Sequence, residues 1–423
     1  MSGYTRRIVD DELDALLPDL PAVMLDGPKG VGKTETALRR ALTVWRLDDP
    51  AQAAIVRADP DVVTSGAAPV LIDEWQRFPP VWDVVKRAVD AGAPPGSFLL
   101  TGSAASRSST HSGAGRIVTV RMRPMTLPER GLTRPTVSLA ELLTGRRAPV
   151  EGESGSDLRA IVRAIVRSGL PGLGLLGDRA VRSQLDGYLD RIVDHDVSEA
   201  GHPLRRPATL RAWLTAYAAA SGAPVSYEKL RAAATPGHGE VPARSTVTPY
   251  LDVLSDLRII DPLDAWSPSS NHLQKLTQGP KHQLADPALA VRLLNLDEAT
   301  LLAGDEGALR IVPDPGLLGR LFESLAALSV RVFAQHSEAR VSHLRTFGGE
   351  REVDLIVEAV GGGVVALEVK LAAAVEDRDV RHLHWLEERI GERLLDKVVL
   401  HVGPRAYRRA DGVAVVPLAL LGP

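Results

Sequence analysis

The chain has 423 residues, more than one ordinary core holds, so roughly two to four domains are expected. Hydrophobic residues make up 44% and aromatics only 4%, which leaves Ala, Val and Leu to fill the interior and few rings on which bases could stack. The absence of cysteine excludes disulfides, zinc–thiolate sites and thiol catalysis, and a formal net charge of −3 means that any attraction to nucleic acid must be local. No stretch approaches the roughly 20 apolar residues of a membrane span, and "MSGYTRRIVDDELDALL" turns acidic where a signal peptide turns apolar. No membrane partner is expected, and the cytoplasm is the expected location.

In chain order, the first predicted element is an apolar strand ending in "AVMLD", followed by "GPKGVGKTE" and a helical run. The loop runs from Gly27 through Pro28, Lys29, Gly30, Val31 and Gly32 to Lys33, Thr34 and Glu35. This is the Walker A pattern between a strand and a helix. Its glycines let backbone N–H groups turn toward phosphates, Lys33 reaches the outer phosphates, and the Thr34 hydroxyl completes a magnesium shell. ATP or ADP with Mg2+ is the expected ligand. About 40 residues on, "PVLIDE" reads as a second buried strand ending in Asp73 and Glu74, the Walker B pattern. Asp73 would hold the magnesium and Glu74 would polarise the attacking water, so Lys33 and Glu74 head the catalytic candidates. A helix, "VWDVVKRAVDAG", and a strand, "SFLLTGS", come next. A Ser- and Gly-rich loop then leads to Arg116, just before a further strand.

Taken in order, "YTRRIVDDELDALL", "GPKGVGKT", "WRLDDP", "LIDEWQRFPPVWDVVKRAVD", "LLTGSA" and "GRIVTVRMRPMTLPERG" resemble the bacterial and archaeal AAA-family ATP-binding proteins. The resemblance covers nearly the whole chain. It implies an α/β fold: a P-loop AAA-type ATPase domain over residues 1–143, a helical connector over 157–200, a winged helix-turn-helix over 201–270 and a restriction-endonuclease-like α/β domain over 271–423. In ATPases of this type a polar residue ending the strand before the Ser- and Gly-rich loop senses the γ-phosphate. Ser103 fits that position, with Thr101 as the alternative. Arg116 would act as a finger on a neighbour's nucleotide, which requires a homo-oligomer.

Residues 144–157 are polar and glycine-rich and read as a linker. In the helical stretch that follows, His195 lies between Asp194 and Asp196; neighbours on an α-helix point to different faces, so this run is expected on a solvated face. "LRAWLTAYAAASG", "SYEKLRAAA" and "RSTVTPYLDVLSDLRIID" read as three helices and a strand-like end, the order of a winged helix. Between residues 201 and 250 six basic residues face two glutamates, a net +4 that suggests DNA as a partner. A protein partner is the alternative.

The C-terminal third reads as helix, strands, helix and strand. A helix glutamate, Glu323, precedes Asp354 on one strand, and Glu368 and Lys370 follow on the next, with 13 residues between Asp354 and Glu368. In the resembled fold Asp354 and Glu368 would bind magnesium, with Glu323 nearby and Lys370 orienting the attacking water. The alternative is a hairpin in which Lys370 pairs with Glu368 or Asp354 and no phosphodiester is cut.

Overall fold

The computed structural model describes residues 3–102, 113–199, 207–234, 244–267, 279–303 and 316–423. The apolar runs of the N-terminal third become one five-stranded sheet. β1 (Ala22–Asp26), β2 (Thr43–Arg46), β3 (Val70–Asp73), β4 (Phe98–Gly102) and β5 (Val118–Arg121) lie in the order β2-β3-β4-β1-β5, all parallel. A parallel sheet needs cover on both faces, and β1, β3 and β4 are buried along their whole length. α1 (Val9–Leu16) and α2 (Lys33–Leu38) pack Leu13 and Ala37 on one face against Leu25, Leu71 and Leu99. On the other face α3 (Pro50–Ala58) and α4 (Pro80–Asp90) bring Val56, Trp82 and Val85 against Met24, Ile72 and Leu100. The "LDDP" run is the start of α3: Asp49 accepts a hydrogen bond from the Ala51 N–H and Pro50 takes the first helical position.

β4 lies between β1 and β3, and the register sets Asp26 opposite Gly102 and Asp73 opposite Thr101. The carboxyl ends of these strands therefore meet at one edge of the sheet, where open α/β sheets bind ligands.

Helices Leu158–Val166, Asp178–Arg191, Pro207–Ala219, Tyr227–Ala233 and Arg244–Asp256 form the middle of the chain. After the last of them, antiparallel bridges join Ile260 to Leu284 and Leu263 to Lys281. Among the described residues no helix is long and apolar enough to cross a membrane.

The linker expected over 144–157 contains a strand. β6 (Val137–Ser138) and β7 (Gly152–Glu153) precede the C-terminal strands β8 (Arg340–Arg345), β9 (Glu352–Glu358), β10 (Val364–Lys370), β11 (Leu394–His401), β12 (Arg405–Arg408), β13 (Ala414–Pro417) and β14 (Leu421–Gly422). Seven of these form a mixed sheet in the order β7-β12-β13-β11-β10-β9-β8, while β14 pairs with β6. Two-residue strands are too short to show an alternating pattern, which is why the sequence reads there as a linker.

Helix Asp377–Ile390 packs Leu383 and Leu386 on one face of this sheet, against Ile356, Ala366 and Val399. Its other face belongs to a continuous core that runs from Leu127 to Leu421 and includes helix Leu317–His336 and the middle helices. The middle and C-terminal thirds thus share one interior.

Candidate nucleotide site and a second carboxylate site

Gly27 begins the loop between β1 and α2 because nothing larger fits: a Cβ there would stand 2.2 Å from the Met122 carbonyl oxygen. Gly32 closes the loop at φ +101°, a conformation that favours glycine. Arg7 braces the loop from behind. It donates to the Val31 carbonyl (3.0 Å) and forms a buried ion pair with Glu129 (2.9 Å), tying the "YTRR" and "PERG" segments together.

Lys33 is buried, and its Nζ donates to the carbonyls of Gly27 (2.8 Å) and Pro28 (3.0 Å). Among the described residues it makes no ion pair. Burial pulls its pKa down to about 8, opposed by the carboxylates of Glu74, Asp26 and Asp73. Thr34 Oγ1 donates to Asp73 Oδ1 at 2.8 Å, and the Thr101 hydroxyl donates to the same oxygen. Glu74 follows in the left-handed region at φ 56°, which costs a non-glycine residue on the order of 1 kcal/mol and is a common mark of functional positions. Its Oε2 accepts from Gln76 Nε2 at 2.5 Å.

The structure thus brings Gly27–Thr34, Asp73 and Glu74 together. Of the two sensor candidates, Thr101 is fully buried and bonded to Asp73, while Ser103 lies outside the described residues. Arg116 is not part of its own chain's loop. It precedes β5, at the end of the sheet opposite the loop, and pairs with Asp90 of α4 (2.8 Å). Glu35 lines a cavity of about 1200 Å³ beside the first turn of α2, together with Tyr4, Gly32, Thr36, Arg39 and Pro171. The Arg39 guanidinium lies 4.7 Å from the centre of the Tyr4 ring, and the Tyr4 hydroxyl is 3.0 Å from Thr36 Oγ1.

Several contacts here had no signature in the sequence. Lys29 donates from its side chain to Asp196 (2.8 Å), and its carbonyl accepts from the Tyr188 hydroxyl (3.2 Å). The expected solvated face is therefore wrong at Asp196, which is buried. Residues Ile192–Asp196 form a π-turn, whose wider spacing gathers His195, Asp196 and Glu199 on one side. Asp26, immediately before the loop, accepts from Arg258 (2.7 Å) and from Arg121 (3.4 Å). Asp261 binds Arg123 (2.8 Å) and Arg331 (3.2 Å); burial alone would raise its pKa, but the surrounding guanidinium groups hold it well below the usual carboxylate range. A polar seam thus joins the P-loop sheet to the rest of the chain.

The second site lies at one end of the C-terminal sheet. One register step past the Leu367–Leu355 pair, Asp354 and Glu368 face each other across β9 and β10. Glu323, on helix Leu317–His336, converges on them, and Lys370 donates to Glu368 Oε2 (2.8 Å). Two unexpected residues complete the cluster. Lys281, with no exposed surface, places its Nζ 2.8 Å from Glu323, 2.8 Å from Glu352 and 3.1 Å from Asp354. Burial alone would lower its pKa, but the three carboxylates outweigh that and hold it well above the usual lysine range. Asp354 Oδ2 accepts from the Val369 N–H (2.9 Å). Glu368 Oε1 is buried and, among the described residues, meets no hydrogen-bond donor. Burial first, and then the Asp354 carboxylate, push the Glu368 pKa well above the usual range.

Residues 19–130 match the family model of an AAA domain. This part of the chain is similar to AAA domains. Residues 158–300 and 318–421 match two families described as domains of unknown function. Uncharacterized proteins of Mycobacterium bovis and Mycobacterium tuberculosis are each 27% identical over 426 residues, spanning 97% of this chain and 83% of their own length. Among solved structures, the Walker-type ATPase PABY2304 of Pyrococcus abyssi aligns with 67% of this chain and 94% of its own, at 14% identity and a TM-score of 0.39. The AAA match holds the loop, Asp73, Glu74, Thr101 and Arg116, and ends beside Glu129.

Proposed function

We propose that the AAA domain binds ATP with magnesium and hydrolyses it to ADP and phosphate. The observation that carries this reading is the grouping of Thr34, Asp73 and Thr101 at the carboxyl edge of the sheet, beside a lysine held only by backbone carbonyls. Lys33 exchanges those carbonyls for phosphate oxygens at little cost, because no carboxylate has to be abandoned. Thr34 and Asp73 would hold magnesium, which neutralises phosphate charge when bound. Glu74 orients the attacking water and accepts its proton, and Thr101 keeps Asp73 aligned. The cavity lined by Tyr4, Thr36 and Arg39 receives the nucleoside. Arg116, exposed at the far end of the sheet, serves a neighbouring copy's nucleotide.

Hydrolysis is coupled to a DNA transaction such as repair or defence. Three helices and the antiparallel bridges after them support the winged helix expected over residues 201–270, with the nuclease-like fold expected over 271–423 behind it. ATP turnover measured with and without single-stranded, duplex and branched DNA tests both parts. Glu74→Gln should bind ATP normally and turn it over roughly 100-fold more slowly. Turnover untouched by Glu74→Gln removes the hydrolytic reading, and turnover indifferent to every DNA removes the coupling.

A second reading, a nucleotide-gated switch that binds a protein, is favoured by the polar seam. Asp26 and Lys29 flank and form the loop, and both hold side chains from the rest of the chain. Polar interfaces of this kind permit relative motion. Retention of ADP until a partner protein is added would favour the switch.

A further inference from the structure

The four residues Glu323, Asp354, Glu368 and Lys370 converge as a metal-dependent phosphodiesterase would need, so whether a divalent ion fits among them can be tested on the side chains themselves. An ammonium has three N–H donors, and Lys281 has three carboxylates within reach, Glu323, Glu352 and Asp354. A divalent ion bound to Asp354 Oδ1 at roughly 2.0–2.6 Å would stand within a few ångströms of this ammonium, and the two cations would repel. The other Asp354 oxygen accepts from the Val369 N–H, and one Glu368 oxygen is held by Lys370. Of the Asp354 and Glu368 oxygens that leaves Glu368 Oε1 without a donor, so an ion that binds both residues has to compete with a partner already in place.

Lys281 is also fixed from behind. Its N–H and carbonyl both pair with Leu263 (2.9 Å each). The next residue, His282, donates from its N–H to the Ala223 carbonyl (3.3 Å) and accepts at its own carbonyl from Gly222 (2.9 Å). The His282 ring lies edge-on to Tyr217 and Tyr227. The Gln283 carbonyl accepts from the Asp261 N–H (2.8 Å). These bonds fix the Lys281 backbone, and the contacts to Glu323, Glu352 and Asp354 hold its Nζ, so the lysine is anchored at both ends of its side chain.

We infer that Lys281 is the permanent cation of the C-terminal carboxylate cluster, standing where a divalent metal would otherwise bind, so that the cluster joins the middle helices to the C-terminal sheet and cuts no phosphodiester. The lock reaches both partners at once: Lys281 comes from the segment bridged to Leu263, Glu323 from helix Leu317–His336, and Glu352 and Asp354 from β9. This inference does not rest on the ATPase reading, which concerns a separate site.

The test is a Mn2+ titration of the full-length protein, followed by electron paramagnetic resonance and without nucleotide, in an Asp73→Asn background that silences the AAA site. With Lys281 present, no Mn2+ uptake that depends on Asp354 is expected. Lys281→Met keeps the aliphatic stem and removes the charge; it should gain one equivalent of bound Mn2+, lost again on adding Asp354→Asn. Mn2+ should also raise the melting temperature of the Lys281→Met protein and leave that of the Lys281 protein unchanged. Mn2+ uptake in the Lys281 protein that Asp354→Asn or Glu368→Gln abolishes overturns the inference, and this arm holds even should Lys281→Met not fold. A folded Lys281→Met protein that takes up no Mn2+ overturns it as well.

Discussion

Lys33 and Lys281 are both withdrawn from solvent, at 6% and 0% exposure, and both stand close to several carboxylates. Around Lys33 the atoms in contact are neutral carbonyls of its own loop, and the acids Asp26, Asp73 and Glu74 act only from a distance. Around Lys281 the atoms in contact are the acids themselves. The consequences run in opposite directions. Burial leaves Lys33 with a depressed pKa of about 8 and an uncompensated positive charge, a group that gains from meeting phosphate. Lys281 already meets three carboxylates at contact distance, and any incoming ion must compete with partners built into the fold. A lysine amid carboxylates is therefore a ligand site or a strut according to which atoms sit in the first 3 Å, and spacing along the chain does not reveal which.

The largest effect that could break this contrast is on stability. Lys281→Ala leaves three partly buried carboxylates without their cation and should cost about 3 kcal/mol, read as a lowered urea midpoint. A loss below 1 kcal/mol would mean the cluster is wetter than it looks. Lys33→Ala should leave the urea midpoint nearly unchanged while weakening ATP binding by roughly 100-fold, about 3 kcal/mol, because charge-assisted contacts to the phosphates are lost. Calorimetric titration measures this, and undiminished affinity would remove Lys33 from the phosphate site.

The smallest effect is a pH dependence beside Lys281. Burial, and then the Lys281 charge, lower the pKa of His343 from 6.5 to about 4. Below pH 6.5 the unfolded chain takes up a proton that the folded chain refuses until pH 4, so stability is lost as pH falls through this window. At pH 5 the loss is about 2 kcal/mol, and His343→Gln should flatten the slope between pH 7 and pH 5. An unaltered slope would place the titration elsewhere.

What the sequence made legible was local. Gly27 to Thr34 is a run in which each residue's role is set by its immediate neighbours, and Asp73 is marked by the buried strand that precedes it. Alternation marks the strands that carry Asp354, Glu368 and Lys370, but the meeting of these residues with Glu323 of a helix was implied by the resemblance and not by any periodicity. Lys281 could not be read at all, since it lies 42 residues from Glu323 and 73 from Asp354, with no periodicity linking them. Arg258 reaches Asp26 across 232 residues and left no trace either. Asp196 shows a different failure: the assumption of α-helical spacing was sound for the helix before it and false within one π-turn.

The continuous core from Leu127 to Leu421 has a mechanical meaning. Middle helices and C-terminal sheet cannot slide past one another without opening a shared apolar interior, whereas the P-loop sheet keeps two cores of its own and is tied to the rest by ion pairs such as Arg258–Asp26 and Arg123–Asp261. Ion pairs can be exchanged one by one as charge arrives or leaves; an apolar interior yields all at once. Under the proposed ATPase function, a push from the phosphate site would meet a single stiff lever, and whatever that lever carries would move as one body.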